Sequence, residues 1–294
     1  MEKSPVDISV KGAPPYFDIL FSRLAENEPA TTIAFGRHVH WGYWEEPAAA
    51  DGSPQDYARA AECLCRRVCD AAQIQDGMAI LDVGCGFGGT ICSLNERFAN
   101  LDLVGVNIDQ RQLEQARKKF QPQHGNRARF LEADAGRLPF PADSFDVILA
   151  VEAIFHFESR DRFFAEAGRV LKPAGRLALS DFVPPEEAVP TLRAFNTSTN
   201  EAARRAYGKI DILCSLKSYR DLAGTTGLSL ESEDNISPHT LPTYPFLRSH
   251  MKTWKIRDQA RAFDKATAQL EMASHTGLLN YTILSFQKNS KNAA

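Results

Sequence analysis

The sequence of 294 residues contains no apolar run near the roughly 18 residues needed to cross a bilayer, so no membrane span is expected. Its first residues, Met1-Glu2-Lys3-Ser4-Pro5, lack the apolar core of a secretory leader, and a cytoplasmic location is the expectation. No lysine or arginine block is long enough to follow a phosphate backbone, and both signs of charge are mixed throughout for a formal net charge of -3. Nucleic acid is therefore not an expected partner. Cysteine is sparse: Cys63, Cys65, Cys69, Cys85, Cys92 and Cys214 are too uneven for a disulfide framework. The first three cluster on a helix beginning near Gln55, but only positions 65 and 69 share a face. No fourth soft ligand follows at a zinc-like spacing, so no metal is expected. There is neither an internal repeat nor a low-complexity tract. The remainder is ordinary globular composition, 44% hydrophobic and 24% charged, enough for one large or two small domains.

The chain turns on Ile80-Leu81-Asp82-Val83-Gly84-Cys85-Gly86-Phe87-Gly88-Gly89-Thr90, an apolar strand running into a glycine-rich turn and then a helix. Such a turn marks the ligand crevice of an open α/β sheet, with helix N–H groups aimed at the ligand. From Met78 onward, short apolar runs alternate with helical stretches, the pattern of a parallel sheet with crossover helices. Strands are expected at Ala79–Val83, Leu101–Val106, Ala128–Leu131, Phe145–Val151 and Arg176–Phe182, with Leu228–Asp234 and Tyr281–Gln287 completing the set. Lys172-Pro173-Ala174-Gly175 reads as the turn into the fifth strand. The expected fold is α/β, a doubly wound, mostly parallel sheet of seven strands. Residues 1–72 are expected to form N-terminal helices and a lid, 73–185 the core, and 186–227 a helical cap after the fifth strand. The last strands fall within 228–294, with an inserted helical segment at about 238–276. The segment Gly36 to Trp44, with His38, His40, Trp41, Tyr43 and Trp44, is too glycine-rich for a helix. It suits either a ligand-site wall or a loop whose aromatics pack on the core.

Gly84, Gly86 and Gly89 also satisfy the nicotinamide fingerprint, so the turn alone is ambiguous. Asp82, two residues before the first glycine, and the later run from Asp134 to Asp146 point away from a dinucleotide. Together with Ala150-Val151-Glu152-Ala153-Ile154-Phe155-His156-Phe157 and Val170-Leu171-Lys172-Pro173-Ala174-Gly175-Arg176-Leu177, they make residues 36 to 183 resemble class I S-adenosylmethionine-dependent methyltransferases. The likeness is to the small-molecule branch that includes sterol, tocopherol and polyketide enzymes. It implies a Rossmann-like core binding S-adenosylmethionine and releasing S-adenosylhomocysteine.

The same resemblance assigns cofactor residues. Gly84, Gly86 and Gly88 would form the floor under the methionine moiety, with Asp82 fixing the loop or the ammonium. Asp134 would accept from the adenine amino group, Ala135 would donate its backbone N–H, Ile108 would cover one adenine face, and Val151 would line the site. Most relatives place an acid at the ribose position, whereas this chain has Asn107, whose amide can accept one hydroxyl and donate to the other. Asp109 is the alternative ribose ligand.

For the transfer, the enzyme must align the reacting atoms and manage the nucleophile's proton. His156, just beyond the fourth strand, is the expected general base, and Asp181, at the end of the fifth, matches the second position that natural-product O-methyltransferases of this family use. Glu152, four residues before His156, is expected beside it. His40, Tyr43 and Trp44 are the expected lid over the substrate. The expected reaction is O-methylation of a mid-sized apolar small molecule such as a polyketide. C-methylation of an isoprenoid or quinol with Glu152 as base is the principal alternative, and N-methylation of a small amine is further off. A monomer or homodimer is expected.

Overall fold

The computed structural model describes residues 14–195, 201–254 and 257–290. The expected loose segment 1–13 lies outside them. Two short helices, α1 (Tyr16–Ala25) and α2 (Pro29–Phe35), precede α3 (Pro54–Ala71). Ser53 caps α3 by accepting the Asp56 N–H, and Pro54 occupies the first turn, where its missing N–H costs nothing. Its buried face carries Tyr57, Ala60, Ala61, Leu64, Cys65, Val68 and Cys69, so Cys65 and Cys69 serve as small apolar side chains against the sheet, while Cys63 is half-buried.

The central layer alternates as the sequence suggests: β1 (Ala79–Val83), α4 (Gly89–Arg97), β2 (Asp102–Asn107), α5 (Gln110–Lys119), β3 (Arg127–Glu132), β4 (Phe145–Ala150), α6 (Arg160–Val170) and β5 (Leu171–Val183). After α7 (Val189–Phe195) and α8 (Glu201–Tyr207) come α9 (Leu216–Thr225) and β6 (Leu228–Asn235). The chain ends with α10 (Ser237–Thr240), α11 (Thr243–Met251), α12 (Arg257–His275) and β7 (Asn280–Lys288). The seven strands form one sheet in the order β3-β2-β1-β4-β5-β7-β6. The first five are mutually parallel, and β7 runs antiparallel between β5 and β6. The expected turn at 172–175 lies within β5: Phe145 pairs with Leu171 and Val147 with Arg176, so the four residues between bulge out of the ladder.

Strand alternation gives the two faces different work. In β1, Ile80 joins the core under α3 and the N-terminal segment, while Leu81 and Val83 join the core under α6 and α9. In β5, Ala178 and Phe182 belong to the first face and Leu177, Leu179 and Val183 to the second. Fully burying an aliphatic or aromatic side chain contributes about 1.5–3 kcal/mol, which makes this parity expensive to change.

The cap expected over 186–227 is divided. Helix α9 packs on α6 and β6 as an ordinary sheet-covering helix, because Tyr219 and Ala223 bury against the second core. Helix α8 instead packs along α12, which in turn packs on α11, so the cap draws on both sides of β6.

A buried ion pair ties this layer together. Asp181, fully buried on β5, accepts from Arg160 at 2.7 Å, from the Tyr219 hydroxyl and from the Phe182 N–H. Arg160 also reaches Asp211. Burial pushes the Asp181 carboxyl up, and Arg160 and Tyr219 pull it back. For Arg160 burial works against the charge, but Asp181, Tyr219, Asp211 and Cys214 together more than reverse this. Removing one partner strands the other charge, so Asp181→Ala should destabilise the protein by about 3–5 kcal/mol, with Asp181→Asn costing less. Denaturant melts of both variants measure this.

Candidate active site

The glycine turn after β1 meets the need for a tight, open floor. Gly84, Gly86 and Gly88 all have positive φ, the region that disfavours side chains. A Cβ on Gly84 would also lie 2.5 Å from that of Ala153, and one on Gly89 would lie 2.5 Å from both the Arg37 carbonyl oxygen and His38 Nδ1. The N-terminal segment is thus pressed against the start of α4. Phe87, inside the turn, is covered by Phe17 and Phe21 of α1, with the Lys119 ammonium 4.5 Å from its ring centroid.

Beneath the turn, Asp82 is 1% exposed and its Oδ2 has no hydrogen-bond partner among the described residues. A buried, unpaired carboxylate oxygen is costly unless a ligand completes it, and the cofactor's ammonium is a group of the right charge. Burial alone pushes the Asp82 pKa up to about 7.

Asn107 Oδ1 accepts the Asp109 N–H at 2.9 Å, and its amide nitrogen meets Gln112 Oε1 at 3.2 Å. Asp109 is not available as a substitute ribose ligand: it is fully buried, caps α5 and is held by Arg111, which also pairs with Asp18 of α1. Ile108 stands 40% exposed, and an apolar side chain left open there suits a flat ring. Asp134 is exposed, with one oxygen accepting the Gly136 N–H at 2.8 Å, while Ala135 and Val151 are buried.

On the other side of β4 lies an apolar cavity of about 80 Å³. Its walls come from Tyr16 of α1, Val39, His40 and Trp41 of the N-terminal segment, Phe182 of β5, and Tyr207, Leu247, Met251, Phe263 and Leu270 of the cap. Glu152 and His156 enter it from the β4 rim. Glu152 has a positive φ, and its carboxylate accepts the Trp41 N–H at 2.5 Å. Burial raises its pKa to about 8, against the hydrogen bonds from Trp41 and Tyr281. His156 closes a single 3₁₀ turn, Ile154–His156, where the Lys209 backbone favours its charged form. Burial lowers its pKa to about 4. The Tyr16 and His156 rings stand 6.4 Å apart between centroids. Glu152 and His156 share this cavity without a hydrogen bond between them, and the positive φ at 152 breaks the helical spacing expected between them.

Three expectations are corrected. Asp181 does not line the cavity: Phe182 does, and the neighbour of an inward residue on a strand faces outward, here into the Arg160 ion pair. Tyr43 stacks on His239 at 4.7 Å with the Arg67 guanidinium over its ring, and Trp44 gives its indole N–H to Asp56 at 2.7 Å. Both pack structurally, leaving His40 as the one expected lid residue on the cavity. Trp41, within the segment expected as a possible ligand-site wall, does line the cavity, and Tyr16, which leads the apolar spacing of α1, is a further aromatic wall.

The orphaned Asp82 gives a pH-dependent expectation. Its folded pKa lies above the unfolded value, so its destabilisation sets in above the unfolded pKa and is complete above about pH 7. Asp82→Asn should therefore raise the melting temperature of the cofactor-free protein more at about pH 8 than at about pH 5, by calorimetry at the two pH values.

Residues 81–179 match the family described as a methyltransferase domain. The chain is 33% identical over 216 residues to the methyltransferase GfsG of Streptomyces halstedii, covering 72% of this chain and 73% of that one. It is 28% identical over 262 residues to the 27-O-demethylrifamycin SV methyltransferase of Amycolatopsis mediterranei, covering 86% and 91%. Among solved structures, mycolic acid cyclopropane synthase CmaA1 complexed with SAH and CTAB superposes with a TM-score of 0.74 at 17% identity, over 93% of this chain and 99% of that one, a likeness of fold. With these matches and the glycine cradle above Asp82, the chain belongs to the class I S-adenosylmethionine-dependent methyltransferases of small molecules, and S-adenosylmethionine is its cofactor.

Proposed function

We propose that the enzyme methylates a hydroxyl group of a mid-sized, largely apolar natural product, with His156 accepting the hydroxyl proton. The observation that carries this is the state of His156. Burial keeps the imidazole neutral and the ring lines an apolar cavity. A neutral imidazole carries one N–H and one acceptor nitrogen, and the acceptor nitrogen can take a hydroxyl proton. The rifamycin-type relative, whose name describes methylation at an oxygen, supports the same choice.

S-Adenosylmethionine supplies an electrophilic methyl group on a sulfonium. The chain's own residues do the rest. Gly84, Gly86 and Gly88 with Asp82 hold the methionine end, Asn107 and Ile108 the ribose and adenine, and Asp134 and Ala135 the adenine edge. Trp41, Tyr16 and the cap exclude water from the cavity, so that the acceptor presents its hydroxyl in one orientation. His156 then takes the proton as the oxygen forms its new bond. Glu152, with its raised pKa, largely keeps its own proton at neutral pH and leaves the cavity suited to a neutral acceptor.

A second reading is favoured by one specific observation. Glu152 is a buried carboxyl whose charge is felt by Tyr16, Tyr57, Tyr207, Tyr244 and Tyr281. Electron-rich rings around a carboxylate also suit a carbon acceptor that turns cationic on methylation, with Glu152 removing the proton. The two separate experimentally with labelled cofactor and a panel of polyketide and isoprenoid acceptors. His156→Ala should lower kcat about 100-fold or more while S-adenosylhomocysteine affinity stays within about twofold, and Glu152→Gln should cost less than about tenfold. A product methylated at carbon, with Glu152→Gln the more damaging variant, reverses the assignment.

A further inference from the structure

The N-terminal segment contains a chain of hydrogen bonds whose protons can be counted. Glu62 Oε2 lies 2.8 Å from His38 Nε2, His38 Nδ1 lies 3.1 Å from His40 Nε2, and His40 Nδ1 lies 2.8 Å from the Trp41 carbonyl oxygen. The carbonyl can only accept. Glu62 is a carboxylate, because burial alone would raise its pKa but His38, Arg66 and Ser93 hydrogen-bond it and hold it far below the usual range. Both ends of the chain are thus acceptors. Three hydrogen bonds across four ring nitrogens need three protons, and two neutral imidazoles carry two. With two, one contact would set lone pair against lone pair at hydrogen-bond distance.

We infer that His38 and His40 share one additional proton, forming a buried imidazolium ion-paired with Glu62, and that this pair is a positioning device that holds Trp41 against Glu152. The link is short: His40 bonds the Trp41 carbonyl, the Tyr57 hydroxyl bonds the His40 carbonyl at 2.9 Å, and the Trp41 N–H bonds Glu152. The assignment does not depend on which atom of the acceptor is methylated. The surrounding charges oppose one another. From α3, Glu62 favours the proton, with Arg66 neutralising part of that acid. Glu96 on α4 also favours it, Arg37 disfavours it, and Cys92 and Lys119 lie behind Arg37. Burial is the largest influence on both rings and lowers the pKa of both, that of His40 to about 3, and the charge of His38 further opposes one on His40, so one extra proton is held and not two. The sign follows. The device is intact while the pair is protonated and fails as pH rises through the pair's shared titration.

The wild-type protein provides the first test. With ¹⁵N-labelled histidine, proton–nitrogen correlation spectra at slightly acidic pH should show three protonated nitrogens among the four of His38 and His40, assigned with His38→Asn and His40→Asn. Two protonated nitrogens would overturn the inference. The second test follows hydrogen exchange of the Trp41 amide against pH, corrected for the intrinsic rate. Removing the counter-charge with Glu62→Gln should move the loss of protection down by ~1 pH unit or more. The same pH in both proteins would sink the positioning role, since Glu152, the other titrating group at Trp41, is untouched by that substitution.

Discussion

The hydrogen bond from the Trp41 N–H to the Glu152 carboxylate is the contact on which the acceptor site depends. Glu152 leaves β4 with a positive φ, an uncommon conformation for a residue with a side chain, and such strain persists only where the surroundings over-determine it. Here they do. The Glu152 N–H donates to Ser180 of β5 and its side chain meets the N-terminal segment, so sheet and lid are joined through one residue. From that junction the lid continues through His40, His38 and Glu62 to α3, and through Arg37 and His38 to the start of α4. The cofactor floor and the acceptor cavity are therefore two sides of one packed segment.

This arrangement explains why the core was legible in the sequence and the rim was not. The strands β1, β2 and β4 are apolar runs bounded by turns, and the glycine turn must adopt positive φ, so local chemistry already specifies them. Asp82 was readable for the same reason, as a single acid in an apolar strand directly before the turn. The cap was harder. Its helices come from chain segments on either side of β6 and are assembled by packing between α8, α11 and α12, which periodicity does not encode.

The errors at the site share one cause, which is direction. Asp181 and Phe182 are neighbours in sequence, and the one-residue difference sends the aspartate into the Arg160 pair and the phenylalanine into the cavity. The bulge at residues 172–175 lies upstream of this choice, so counting from the turn does not set the parity. In the loop at 38–44 there is no period to count. Trp41 faces the cavity, while Tyr43 and Trp44 go to His239 and Asp56. Only tertiary partners decide among these three large side chains.

Glu152 and His156, the groups that enter the cavity from the β4 rim, respond to burial in opposite senses. Desolvation raises the Glu152 pKa to about 8 and lowers that of His156 to about 4, so near neutral pH the predominant forms are the uncharged acid and the uncharged imidazole. Under the proposed reaction a hydroxyl would find a lone pair on His156 and an O–H on Glu152. For that reaction a neutral acceptor would suit this pair, and the aromatic walls would recognise its shape and apolar area.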